Sequence, residues 1–416
     1  MQYKSLKIRL EPTKVQREMF AKHAGTARHA YNQALNYCND LFKDGKSIPS
    51  AITLHKWLVA TVKKKHSWYY EVSKCAPQQA LRNLETAYKN FHRLQKQSGY
   101  KLLHYKHVNG VKVSIGLQGL PRYKKKGRGD SFYLEDNGKY GIRIEDNKVK
   151  LPRIGWVKLS ETLEVKSIKN CTISRTADHW FITFRVEHIL AITKKKELVV
   201  GVDLGIKALA TLSNGEIFKN KKPYRKAKEK LRRQQKEVSR RFVRGAENQS
   251  NNYKKSVQKL AKIHARVANV RKDCLHNLTT YLAKNFEVVV IEDLKVKNMV
   301  KNKKLASAIL DGGFFEFKRQ LLYKKAWYGG EVILADTFFA SSKLCSNCGN
   351  KKPSLKLSER KYACNSCHLE IDRDLNASIN LKNLAVSSTV SALGDGSSVL
   401  FSTQPVDELG TKIAHV

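Results

Sequence analysis

No apolar run in the 416-residue sequence approaches the roughly 18 to 20 residues that cross a bilayer. Its opening residues, MQYKSLKIRL, also lack the apolar core of a signal peptide. Both absences argue for a soluble, intracellular chain. Acids are scarce, with 36 Asp and Glu against 79 Lys and Arg, a formal charge of +43. Because that excess is spread along the chain rather than gathered in one tail, it points to a polyanionic partner, nucleic acid ahead of an anionic membrane. There is no internal repeat at solenoid or propeller periods, which excludes a stacked array. Tandem fingers or any other reader able to specify a long DNA site are also missing. Cysteine is limited to eight residues. Cys38, Cys75, Cys171 and Cys274 lie singly, as reduced core thiols of a cytosolic protein do, and not as a disulfide framework. With 41% hydrophobic residues the chain can nevertheless build two or more cored domains.

What is present divides by pattern. YKSLKIRL alternates Leu6, Ile8 and Leu10 against Lys7 and Arg9, a half-buried strand stopped by Pro12. Thr13 with Gln16 forms a capping box, and Val15, Met19, Phe20, Ala24, Ala27, Tyr31, Leu35 and Cys38 then recur at helical spacing. A second helical pattern follows Pro77 in QQALRNLETAYKNFHRL. From Tyr123 to Glu187 short alternating runs are broken by Asn-Gly and Asp-Asn turns, a β-rich module expected to close as a small barrel with the N-terminal strand. ELVVGVDLGIKALATLSNGEIF then reads as a buried strand and a hairpin turned at Asn214-Gly215. Residues 219–272 hold 20 Lys and Arg against three Glu, a long basic helical region. FEVVVIEDL and GGEVILAD supply two further strands, and strands alternating with helices indicate an α/β core. After Leu384 a Ser/Thr/Gly-rich stretch without sustained periodicity reads as a mobile tail.

Cys345 and Cys348 form one C-x2-C knuckle, and Cys364 and Cys367 another. The fifteen residues between them suit a β-ribbon that gathers four thiolates around a structural Zn2+. Redox chemistry needs only one such pair. His368, next to Cys367, could in principle ligate, but four thiolates already complete the shell and leave it beside the ligands or on the surface.

Three acids stand at informative places. Asp203 ends VVGVD, Glu292 ends VVVIE, and Asp374 opens the helical pattern RDLNASINLKNL. An acid after a Val/Ile run falls at the carboxyl edge of a sheet, where α/β active sites lie. Converging carboxylates repel one another unless a cation intervenes, and hard oxygen ligands suit Mg2+. Two ions about 3.5 to 4 Å apart would activate water and steady a leaving 3′ oxygen. Taken singly, each acid could equally be a solvated strand end or a helix cap.

The phrases GVDLGIKALATLSNG, VVVIEDL, SSKLCSNCGNKKPSLKLSERKYACNSC and DRDLNASIN, in that order, resemble the transposon-encoded TnpB proteins, compact relatives of the type V CRISPR effectors. YKSLKIRLEPTKVQREMFAKHAGTARHAYNQAL and PQQALRNLETAYKNF are similar too, so the likeness covers all but the tail. It implies a RuvC nuclease domain of RNase H-like fold with the zinc ribbon inserted before its last acid, preceded by a wedge β-barrel and a helical recognition domain. By number these are residues 1–10 and 101–195 for the barrel and 11–100 for the helical domain. RuvC takes 196–340 and 371–384, the target-binding ribbon 341–370, and a disordered tail 385–416. The resemblance further implies Asp203, Glu292 and Asp374 as the catalytic, Mg2+-holding acids. The expected partners are a guide RNA derived from the transposon end, one protein per guide, and a target DNA duplex bearing a short transposon-adjacent motif. The expected location is the prokaryotic cytoplasm, at the nucleoid. Two departures are His368, where relatives usually carry Gly, and Ser378, where a second Ala is common. Asp372 precedes the matched pattern and is read either as a helix-start acid or as one that supports the metal-holding acids from behind.

Two other readings stay in play. A DDE transposase shares the fold and two-metal chemistry but orders its acids Asp, Asp, Glu, and a catalytically silent RNA-guided repressor would not need an intact triad. Gln78, Gln79 and Asn83 are candidates to read the adjacent motif, since amides pair with adenine edges, or are solvated helix residues. Lys124, Lys125 and Lys126 in RYKKKGR, with the 219–272 segment, suit phosphates.

Overall fold

The computed structural model describes residues 2–98, 103–108, 111–136, 141–163, 168, 170–188, 192–355 and 359–394, and the chain divides into two compact units, residues 1–188 and 189–416. In the first unit, strand β1 (Gln2–Glu11) buries Ile8 and Leu10 while Lys7 and Arg9 face out. Helix α1 (Lys14–Lys43) starts at the Thr13–Gln16 capping box. Phe20, Ala24, Ala27, Tyr31, Leu35 and Cys38 form its buried stripe, but Val15, expected on that stripe, is 69% exposed because the core begins one turn later. α2 (Ala51–Trp57), a π-helical stretch at Leu58–Lys63, a 3-10 turn at Ser67–Glu71 and α3 (Cys75–Ser98) complete the helical part. Pro77 lies inside the first turn of α3 rather than ahead of the helix, where its missing N–H has no intrahelical acceptor to lose.

A hairpin follows, β2 (Leu103–Val108) with β3 (Val111–Leu117). The remaining strands are β4 (Ser131–Glu135), β5 (Arg143–Glu145), β6 (Lys148–Leu151), β7 (Gly155–Leu159), β8 (Asn170–Thr176) and β9 (His179–His188). They form a seven-stranded antiparallel sheet, β4-β8-β9-β1-β7-β6-β5. The N-terminal strand sits in its middle, with Leu10 opposite both Trp180 and Leu159. The expected barrel is not closed: among the described residues the edge strands β4 and β5 do not pair, so the sheet stays open. Asp146 makes the β5–β6 turn at φ +49°, while the Asn137-Gly138 turn lies outside the described residues.

The second unit is built on a mixed five-stranded sheet, β12-β11-β10-β13-β14. Its strands are β10 (Glu197–Asp203), β11 (Ala208–Leu212), β12 (Ile217–Lys219), β13 (Phe286–Glu292) and β14 (Glu331–Ala335). β10, β13 and β14 run parallel, and β11 and β12 are antiparallel hairpin strands turning at Asn214-Gly215, with Gly215 at φ +89°. The continuous apolar runs are explained by burial on both faces. Val200, Val202, Val289 and Ile291 pack with Leu275, Leu278 and Leu282 of α5 (Asn251–Asn285) and Phe317 and Leu321 of α8 (Phe314–Tyr328). Val199, Val288 and Val290 pack on the other face with Leu381 and Ala385 of α9 (Arg373–Gly394).

The basic segment is not one helix. α4 (Pro223–Arg241) and α5 are separated at residues 242–250, where Ser250 caps α5 by accepting from Tyr253 N. Two short helices, α6 (Val296–Met299) and α7 (Ala306–Gly312), precede α8. Asp311 of α7 accepts from Tyr224 N and Arg225 N and pairs with Arg271 at 3.1 Å, tying the start of α4 to α5. The last pair of strands, β15 (Lys361–Ala363) and β16 (Glu370–Asp372), forms a separate ribbon. α9 runs ten residues past Leu384, so the expected tail boundary falls inside a helix, and residues 395–416 lie outside the described residues. Among the described residues no helix is long and apolar enough to cross a membrane.

Candidate functional site

Strand alternation decides where two of the acids point. Residues 199, 201 and 203 of β10 share one face with 288, 290 and 292 of β13, and that face is the one covered by α9. The register Val202↔Ile291 places Asp203 and Glu292 side by side one step further, at the carboxyl ends of parallel strands. α9 starts at the same edge and brings Asp374 in its first turn. The three acids share a field: burial, then the charges of Glu292 and Asp374, push the Asp203 carboxyl up to about 8. Arg373 works against that rise and Asp372 adds to it.

α9 reaches the strand because Gly201 has no side chain. A β-carbon there would stand 2.0 Å from Ser378 O and 2.5 Å from Lys382 N. Ala377 and Ser378 are buried at this contact, with Ser378 Oγ donating to Leu375 O at 2.8 Å. The Ser departure at 378 is thus absorbed by the helix's own backbone. Asp372 accepts from Asp374 N at 2.9 Å and Leu375 N at 3.2 Å, which makes it the helix cap. Asp293, the neighbour of Glu292, is held by Lys295 and, at 2.6 Å, by Lys318.

The four cysteines are gathered tightly. Cys345 and Cys367 sulfurs are 3.5 Å apart, those of Cys348 and Cys364 3.6 Å, and all four lie within 4.8 Å of one another. A zinc tetrahedron with Zn–S of about 2.3 Å has sulfur edges of about 3.8 Å, so the cluster fits a zinc ribbon. Backbone N–H groups aim at the sulfurs: the Cys367 thiol is pulled down to about 6, first by the Leu369 N–H and then by the Asn347 side chain. Cys364 is lowered by the Cys367 and Ser366 N–H groups. Beneath them Tyr362 is fully buried and donates to Lys343 O or Asn350 O. His368 is not part of the cluster, and its φ of +57° is the left-handed backbone that favours glycine. Among the described residues the cysteines are the only group of three or more His, Cys, Asp or Glu side chains close enough to share one ion, so the acids are coupled by charge at a wider spacing.

Sequence reasoning missed the asparagines of α9. Asn376, fully buried, donates to Leu344 O at 2.7 Å and accepts from Ser346 N at 3.0 Å. Asn380 donates to Ser341 O and Leu344 O, both at 2.8 Å. Their i, i+4 spacing on one helix face was the available signal. They hold the first cysteine knuckle to the helix that carries Asp374.

The other candidates belong to the first unit. Gln79 donates to Asn83 at 3.1 Å, Gln78 contacts His55 at 3.4 Å, and Asn83 is exposed. The basic loop is fastened to α1: Asn32 bonds both the N–H and the carbonyl of Lys124, at 2.8 and 3.0 Å. Arg28 pairs with Asp130 at 3.0 Å. Lys124 Nζ lies 4.3 Å from the Tyr31 ring centroid, leaving Lys125 and Lys126 the freer of the three lysines.

Comparison with known proteins gives three family matches along the chain. Residues 181–303 match the OrfB_IS605 family, described as "Probable transposase", and residues 314–381 match the Cas12f1-like TNB domain. Residues 1–47 match a family described as a helix-turn-helix domain, although the structure places one strand and one long helix there. A chain of Escherichia coli (strain K12), "Putative RNA-guided DNA endonuclease InsQ", is 31% identical over 411 residues, covering 94% of each chain. A Streptomyces pristinaespiralis chain also described as an RNA-guided DNA endonuclease is 34% identical, covering 94% of this chain and 91% of its own. The protein of a Cas12f1-sgRNA-target DNA complex superimposes with a TM-score of 0.49 at 13% identity, over 92% of this chain and 99% of that one, a likeness too distant to enter the assignment. On the two full-length relatives and the matched profiles, the chain belongs to the OrfB_IS605 family, the TnpB proteins that its motifs resemble.

Proposed function

We infer that this protein is an RNA-guided DNA endonuclease that hydrolyses phosphodiester bonds. The observation that carries the reading is the meeting of Asp203, Glu292 and Asp374, from two adjacent parallel strands and the helix packed across them, at one sheet edge. The names of the full-length relatives supply guide RNA and target DNA. In this reading the second unit holds a RuvC domain of RNase H-like fold, residues 196–340 and 371–384, interrupted by a zinc ribbon at 341–370. The first unit holds the wedge, 1–10 and 101–188 within the expected 101–195, around the helical recognition domain 11–100.

Cys345, Cys348, Cys364 and Cys367 would hold Zn2+, and Asp203, Glu292 and Asp374 would hold Mg2+. The donor chemistry fits in both cases, four thiols within 4.8 Å of one another and three hard carboxylates, one of which burial and its acidic neighbours push toward the protonated form. Bound divalent ions supply an activated water and offset charge on the leaving 3′ oxygen. The chain's own part is to hold the carboxylates on a rigid sheet edge and to bring phosphates to it with the Lys and Arg of α4 and α5.

The basic surface grips heteroduplex shape while base pairing supplies the code. The guide comes from the transposon end, one protein to one guide, and a short adjacent motif is read in the first unit, with Gln78, Gln79 and Asn83 as candidates and Lys124, Lys125 and Lys126 on phosphates. The protein works at the nucleoid. The transposase description of the family profile favours a second reading, but the Asp, Glu, Asp order differs from the DDE arrangement. Asp203→Ala, Glu292→Ala or Asp374→Ala should each abolish Mg2+-dependent cutting and leave RNA binding within about twofold. Cutting with unchanged specificity after all bound RNA has been removed would sink the guided reading.

A further inference from the structure

Glu292 has a partner that neither the family profiles nor the acid pattern assigns. Ser341 Oγ donates a hydrogen bond to Glu292 Oε1. Ser341 is 3% exposed, so water does not compete for the hydroxyl, and its carbonyl is fixed by Asn380 of α9. The same Asn380 amide holds Leu344 O, one residue before Cys345, and Asn376 holds Leu344 O and Ser346 N on the other side. One helix therefore carries Asp374, clamps the first cysteine knuckle and sets the residue that grips Glu292.

We propose that Ser341 is a positioning residue for Glu292, and that Asn380 transmits the seating of the cysteine ribbon to that carboxylate. This rests on the reading of Glu292 as a metal-holding acid. A glutamate side chain has three rotatable bonds, and at a strand end nothing else among its described hydrogen bonds restricts them. With Oε1 engaged by the hydroxyl, Oε2 and the remaining lone pair of Oε1 stay available to a cation. Partners of this kind orient a ligand, and losing one typically costs about 10 to 100-fold in metal affinity or activity.

The test follows metal binding on the zinc-loaded full chain without guide or target, and cutting on the same chain with both added. Mn2+ binding is followed by electron paramagnetic resonance in wild type, Ser341→Ala and Asn380→Ala, with Asp203→Ala as the reference for loss of the site. Zinc content and the thermal unfolding midpoint are measured on each. Ser341→Ala should weaken Mn2+ binding by about tenfold or more with zinc and midpoint unchanged, and should raise the Mg2+ needed for half-maximal cutting by a similar factor. Asn380→Ala should weaken Mn2+ binding in the same direction. Ser341→Ala with wild-type Mn2+ affinity overturns the proposal. So does loss of zinc or a large fall in midpoint, because the residue would then only be holding the fold. A wild type that binds Mn2+ at these acids yet cuts nothing would instead remove the endonuclease reading and leave the positioning role standing.

Discussion

Gly201 of β10 lies directly under Ser378 of α9, so close that a β-carbon on the strand would stand 2.0 Å from the Ser378 carbonyl oxygen. The neighbour is helix backbone, which cannot swing aside as a flexible side chain would. Gly201→Ala should therefore lift α9 from the sheet and cost about 3 kcal/mol in denaturant unfolding. Because Asp374 rides on that helix, cutting should fall further than the fraction unfolded accounts for. A variant with wild-type stability and cutting would mean the helix has room that this contact denies.

The cysteine cluster predicts about one zinc per chain, lost in Cys345→Ser or Cys364→Ser along with the local fold of β15 and β16. Metal analysis and hydrogen exchange of the 341–372 segment check this. Reduced, intact protein free of zinc would remove the claim.

His368 holds φ at +57° outside the cluster it adjoins. His368→Gly should keep all the zinc and stabilise the ribbon by about 0.5 to 1 kcal/mol, the cost of a side chain in the left-handed region less the entropy of glycine in the unfolded chain. Slower zinc release to a chelator reads the gain. Loss of zinc would instead make His368 a ligand.

His276 supplies a pH dependence. Burial, then the charges of Lys324 and Lys272, pull its imidazole down to about 4 from 6.5. Between pH 6.5 and 4 the unfolded chain takes up this proton and the folded chain does not, so stability falls as pH falls through that window and levels below it. His276→Gln should flatten that part of the profile relative to wild type. Unfolding midpoints at pH 7 and 4.5 for the pair give the comparison, and equal slopes would show that His276 titrates normally.

Much of the site is written locally. Val-Ile runs ending in Asp203 and Glu292 already specify buried strands with acids at their ends, because alternation and apolar content are properties of five or six neighbouring residues. The Thr13–Gln16 box and the two C-x2-C knuckles are equally short-range, and the structure forms the box and gathers the thiols. Local pattern was less informative where a boundary depends on what packs alongside. The basic stretch 219–272 reads as continuous, yet it breaks at 242–250, where the chain turns so that Leu231 and Val238 of α4 and Val267 of α5 are buried. The stretch after Leu384 has no period of its own, but Ala385 lies on the β13 face and the helix continues.

The amino-acid sequence alone determined the strands, the acids at their ends and the paired knuckles, since each depends on residues adjacent in the chain. Only the tertiary structure decided that, among the described residues, the first unit's sheet leaves β4 and β5 as unpaired edges, because closure depends on strand curvature and register summed over seven strands. Likewise it alone brought Asn380 to Ser341, 39 residues away, and Ser341 to Glu292, 49 away. An asparagine or serine carries the same donors in a helix, a loop or a core, and which carbonyl or carboxylate it meets is set by the path of the chain between them.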